Sequence, residues 1–197
     1  MNQTLESTLA RAEPRRHAIT ISECAQMASA GVFSAGVRME LIEGELIEIA
    51  PMGDAHANLV SAVAALLIEA LGARRVRIQQ PLVLNATSRP EPDIVVLREP
   101  MPLPPDLNWC PSAGEAALVV EVADASLAHD HRKAALYAAA GVRAVLLIDV
   151  QGRSAEYFAE PAEGSYSQQQ RLAAGDVVHL HSVGVAMALQ NVFPVQR

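Results

Sequence analysis

From Arg38 the chain reads RMELIEGELIEIA, with apolar and polar residues alternating on both sides of Glu43-Gly44, the pattern of a β-hairpin. A helical pattern follows over Ala55 to Leu71, with Asp54 as the expected N-cap, a stripe of Leu59, Val63, Leu66, Leu67 and Leu71, and Gly72 as the stop. Val76 to Leu84 reads as a strand, Asn85 to Arg89 as a polar turn, and Asp93 to Leu97 as a second strand. Residues 98 to 115 hold five prolines and the single tryptophan, which predicts an irregular loop. Ala116 to Ala123 is a nearly unbroken apolar run, the mark of a strand covered on both faces. Asp130 to Ala140 predicts a helix closed by Gly141, and Val142 to Val150 another buried strand, parallel to the previous one through a right-handed crossover.

The ends carry weaker patterns. Residues 1 to 18 show charge and proline without periodicity and read as a flexible tail, leaving one domain over residues 19 to 197. Thr20 or Ser22 is the expected N-cap of a short helix ending near Gly31, a flap beside the core. After Ser154, alternating segments at Ala155 to Glu160, Tyr166 to Leu172 and Val177 to His181 predict a small antiparallel extension, with a brief helix near Val185 to Phe193. The whole is a mixed α/β (α+β) chain.

At 197 residues, the domain buries roughly 70% of its unfolded surface and needs neither disulfide nor metal to fold. Cys24 and Cys110 lack framework or metal-ligand spacing. No signal-peptide pattern opens the chain, and its longest weakly charged run, Leu59 to Ala73, is broken by Glu69, so a cytoplasmic protein without a membrane span is expected. The net charge of −7 argues against a broadly nucleic-acid-coated surface, although Arg74, Arg75 and Arg77 cluster. Of 15 positive residues only Lys133 is a lysine.

That lysine draws the chemistry together. Asp93 opens the apolar run IVVL, Glu121 sits inside ALVVEVA, and Lys133 begins a turn of helix shortly beyond it. A carboxylate in a buried strand costs several kcal/mol unless it is paired, protonated or bound to a cation. Asp93 and Glu121 together suit a hard ion such as Mg²⁺ or Mn²⁺, which activates water and offsets charge on a phosphoryl group. Lys133 would orient that water as a compact point charge. The structural alternative is a buried ion pair without catalysis. Glu40 shares a strand face with Ile42, as a functional acid or as an edge charge. His56 falls in a first helical turn, where the dipole disfavours its protonated form. A rival zinc reading joins His129 and His131, flanking a helix start, to His179 and His181.

The runs RMELIEGELIEIAP, GDAHANLV, EPDIVVL and LVVEVADASLAHDHRKAALYAAAGV with LLID resemble the Uma2 family of the PD-(D/E)XK restriction-endonuclease-like fold, over Thr20 to Phe193. The resemblance implies that fold, with a mixed central sheet flanked by helices, and a Mg²⁺- or Mn²⁺-dependent nuclease acting on nucleic acid, DNA rather than RNA. It implies Asp93 and Glu121 as metal ligands, with Ala123 in the usual lysine slot and Lys133 on the next helix taking that role. Glu40 and His56 match the family's early glutamate and helix-start histidine. A catalytically silent module that binds a partner or forms a homodimer is the competing expectation.

Overall fold

The computed structural model describes residues 15–34, 36–49, 52–124 and 127–193. Of the expected tail, residues 1–14 lie outside that set. A capping box between Thr20 and Glu23 starts α1 (Ile21–Ser29), which buries none of its residues. The hairpin is β1 (Arg38–Ile42) paired with β2 (Glu45–Ile49). Its turn glycine, Gly44, has φ 79°, and an added Cβ there would lie 2.6 Å from Ala18 Cβ. Glycine is required at that turn for both reasons.

Next comes α2 (Asp54–Leu71), capped by Gly53 rather than by Asp54, which becomes the first helical residue and an anion at the positive end of the dipole. By length and composition alone α2 could cross a membrane. Here Leu59, Val60, Val63, Ala64 and Leu67 are buried against one face of the central sheet.

That sheet has six strands in the order β3-β4-β5-β6-β7-β8: Val76–Ile78, Ile94–Leu97, Ala116–Ala123, Ala144–Asp149, Ser154–Ala162 and Ser165–Ala173. Only β5 and β6 are parallel, and α3 (Leu127–Ala139) connects them. Val95, Val119, Val145, Ala134 and Tyr137 form the core on the α3 face, while Ile94, Val96, Val120 and Val122 face α2. Alternation along β5 therefore aims Glu121 at α3.

Four further expectations change. The strand expected over Val76 to Leu84 ends at Ile78, because Gln79 takes φ 51° and turns the chain out of the ladder; Val83 then bridges Ser112. The segments around 155–160 and 166–172 extend the main sheet, β7 pairing antiparallel with β6, rather than forming an appendage. The separate C-terminal unit is β9 (Val177–Leu180) paired with β10 (Val185–Ala188), so the expected helix at Val185 to Phe193 reduces to a 3₁₀ turn at Leu189–Asn191. Finally, α3 begins at Leu127 instead of Asp130, which puts His129 and His131 inside the helix.

Candidate active site

β4 and β5 run antiparallel with Ile94 opposite Val120, so the next pair along is Asp93 and Glu121. The strands lock these carboxylates to each other's backbone. Val122 N donates to Asp93 Oδ2 at 2.9 Å, and Asp93 N reaches Glu121 Oε2 at 3.4 Å. From the start of α2, His56 Nε2 lies 2.9 Å from Asp93 Oδ1, and Gln79 Nε2 donates to the same oxygen at 3.3 Å.

Above Glu121, α3 supplies two donors a turn apart. Lys133 Nζ is 2.9 Å from Glu121 Oε1, and Tyr137 donates its hydroxyl to that oxygen at 2.6 Å. Lys133 also donates to Glu40 Oε1 at 3.0 Å, an oxygen that accepts from Glu91 N at 2.8 Å. The hairpin thus delivers Glu40 to the same ammonium that serves Glu121, across 93 residues of sequence.

Burial sets the protonation states. Desolvation pushes Glu121 up to about 7, against the pull of Lys133. Burial pulls Lys133 down, but Glu121 and Glu40 together outweigh it and hold the amine above its ordinary value. It stays an ammonium at neutral pH, a cation and not a base. Burial raises the Tyr137 phenol well above the usual range, with Glu121 adding to it, so the hydroxyl remains a donor. His56 is raised by its bond to Asp93. The helix-dipole expectation of a depressed imidazole fails because a carboxylate at hydrogen-bond distance outweighs partial charges at a helix end.

Glu40, His56, Asp93, Glu121 and Lys133 all line one cavity of about 390 Å³. Its wall carries seven acidic residues, Glu40, Glu48, Glu91, Asp93, Glu121, Asp124 and Asp130, against Arg38 and Lys133. Two oxygens are underused. Among the described residues Glu121 Oε2 has only the long contact to Asp93 N, and Glu40 Oε2 is buried without a hydrogen-bond partner, 3.8 Å from the equally unpartnered His129 Nε2. Carboxylate oxygens with spare lone pairs in an acid-rich cavity fit a hard divalent cation. Among the described residues no group of three or more His, Cys, Asp or Glu side chains surrounds one ion position. Water and substrate oxygens would complete a shell built on Asp93 and Glu121, as Mg²⁺ commonly requires.

The rival zinc grouping is not assembled. His129 turns toward Glu40 and His131 toward Glu156, while His179 and His181 stack on each other with centroids 6.1 Å apart. The bond of Tyr137 to Glu121, the contact of Gln79 with Asp93 and the approach of His129 to Glu40 were not read from the sequence. The signal for two of them was present: 129, 133 and 137 are four apart, hence on one face of a helix.

A sequence profile for the Uma2 family, described as "Putative restriction endonuclease", matches residues 21–190. A solved structure titled as a putative nuclease belonging to DUF820, from Anabaena variabilis, superposes with a TM-score of 0.72 at 16% identity. The match covers 89% of this chain and 97% of that one, so the two share a fold. No curated protein matches.

Proposed function

The chain belongs to the Uma2 family, and from that premise we propose that it is a metal-dependent nuclease of the PD-(D/E)XK type, hydrolysing phosphodiester bonds in nucleic acid. The observation that carries this reading is the charge of the cavity: seven acidic residues against two basic ones would repel a phosphate unless a cation joined them. Asp93 and Glu121 would hold Mg²⁺ or Mn²⁺. Such an ion supplies an activated water and neutralises charge developing on the phosphoryl oxygens.

The chain's own residues do the rest. Lys133 and Tyr137 both bind Glu121 Oε1, which turns Oε2 toward Asp93 and fixes the carboxylate plane. His56 and Gln79 hold Asp93 Oδ1. As a permanent cation, Lys133 orients the attacking water and offsets negative charge in the transition state. Glu40 anchors Lys133, and its unpartnered Oε2 is a proton acceptor in the cavity. His56, whose affinity for a proton is raised by its bond to Asp93, is placed to pass a proton to a leaving oxygen.

The test is incubation of the purified protein with DNA and RNA in Mg²⁺ or Mn²⁺, beside Lys133→Ala. Cleavage abolished by chelator and by that substitution is expected; absence of cleavage, or cleavage indifferent to Lys133, would refute the proposal. One observation favours a second reading, a nuclease fold retained for partner binding: both oxygens of Asp93 and one of Glu121 already have protein donors. That reading requires Mg²⁺ to bind no better to the native chain than to Asp93→Ala.

A further inference from the structure

In a chain of net charge −7, most described surface charge is mixed, and the arginine ion pairs fall to Arg16, Arg38, Arg132 and Arg171. Among the described residues no ion pair joins Arg74, Arg75, Arg77 or Arg98 to a carboxylate, nor Arg15, Arg89, Arg143 or Arg153; the first four are set apart by lying together around β3 and the end of β4. Among the described residues each bonds only neutral groups: Arg74 to Met101 O, Arg75 to Leu97 O, Arg77 to Met101 Sδ and Gln80 Oε1, Arg98 to Gly114 O. Arg77 also lies over the Trp109 ring, 5.2 Å from its centroid, and its Nε is buried without a partner. Glu99 and Glu115 line the adjoining hollow, but Glu115 is turned back onto Ser112 N and Oγ at 2.8 Å. That leaves Glu99, beside Arg98, as the other acidic residue lining the hollow.

Their position relative to the acidic cavity is set by strand register. β3 is an edge of the sheet, with Val76 opposite Val96 and Ile78 opposite Ile94, and Gln79 touches Asp93 through both its backbone N–H and its side chain. From Gln79 back across β3 to Arg75, the last residue of a 3₁₀ turn, is four residue steps, about 13 Å at full reach. Along one strand of a nucleic acid, charges recur about every 3.4 Å of axis, so this edge spans roughly four phosphates. Arginine suits such a row, since its planar fork bonds phosphate oxygens while remaining charged.

We infer that Arg74, Arg75 and Arg77 at the start of β3, with Arg98 beside them, form the contact surface for the phosphodiester backbone of a nucleic acid whose reacting phosphate lies at Asp93 and Glu121. The inference rests on the nuclease reading for its choice of ligand. The polyanion is held by an arginine edge a few phosphates from an acidic, cation-requiring centre. Charge that would drive nucleic acid away elsewhere on the protein also confines it to this edge.

The test measures binding of a fluorescent duplex by the full chain across a salt series, in EDTA and again with Mg²⁺, using DNA and RNA duplexes of equal length. Arg74→Glu and Arg98→Glu alter exposed side chains whose only bonds among the described residues are to carbonyl oxygens; Arg143→Glu, an exposed arginine after α3, changes net charge equally and serves as control. Each patch variant should weaken binding by about tenfold and flatten the plot of log K against log salt by about one unit, with Arg143→Glu near the native value. Equal effects from all three variants, or no salt-dependent binding by the native chain in either buffer, would overturn the patch. The nuclease reading fails separately: salt-dependent, Arg74-dependent binding without cleavage in Mg²⁺ or Mn²⁺ would remove the hydrolase and keep the surface.

Discussion

Tyr137 donates its hydroxyl to Glu121 Oε1 at 2.6 Å, sharing that oxygen with the Lys133 ammonium. The second oxygen of Glu121 is left facing Asp93, across the strand pair, where its one hydrogen bond among the described residues is the 3.4 Å contact to Asp93 N. A phenol on a helix therefore decides which lone pairs of a strand carboxylate are available. Tyr137→Phe should fold, since the ring remains, but cost about 1–3 kcal/mol because a charged acceptor loses a buried partner. Its thermal midpoint should fall by several degrees. Titration calorimetry with Mn²⁺ should show weaker binding than native; unchanged affinity would mean the hydroxyl does not set the carboxylate plane.

Lys133 carries more of the fold. Replacing it by Met leaves Glu40 and Glu121 buried together without their cation, a loss of about 3–5 kcal/mol. Adding Glu40→Gln and Glu121→Gln to Lys133→Met should restore most of that stability, as an apolar and amide replacement of the whole cluster removes the unpaired charges. Chemical denaturation of the single and triple variants checks this. A triple variant no more stable than the single one would contradict the account of the cluster as a coupled charge group.

Asp93→Asn keeps the shape of the side chain and one acceptor for Val122 N. It should leave the fold nearly intact while reducing divalent-ion affinity at least tenfold, readable by calorimetry without any substrate. It should also release His56, whose raised pKa depends first on its bond to Asp93. In an NMR titration the imidazole should then lose its proton at lower pH than in the native chain.

Glu121 gives stability a pH dependence with a definite sign. Its folded pKa is raised from 4.5 to about 7 by burial. The folded state keeps a proton that the unfolded chain has released, so this contribution is full below pH 4.5 and lost as pH rises through 7. Across that window the change is on the order of 3 kcal/mol, at 1.36 kcal/mol per unit. Thermal unfolding between pH 5 and 8, native against Glu121→Gln, should show the native chain losing ground to the variant as pH rises. Parallel curves would place the proton elsewhere. Lys133 acts in the same direction at far higher pH, its stabilising charge being lost only above its ordinary 10.5.

The amino-acid sequence by itself determined the elements that carry a strong period and the residues that could do chemistry. Unbroken apolar runs marked β5 and β6, a long stripe marked α2, and ionisable groups set into such runs singled out Asp93, Glu121 and the lone lysine. Strand alternation and a helix start drew attention to Glu40 and His56, and the family motifs matched both. Tertiary structure decided what local pattern does not encode. Whether 155–172 joins the central sheet or stands apart depends on long-range pairing with β6, and where β3 ends depends on a left-handed turn at Gln79. The site was decided in the same way. Glu40 meets Lys133, and Tyr137 meets Glu121, only because the hairpin and α3 pack over the same end of β5. No periodicity in the chain reports how those three elements converge, since a hydrogen bond between side chains 93 residues apart leaves no local trace.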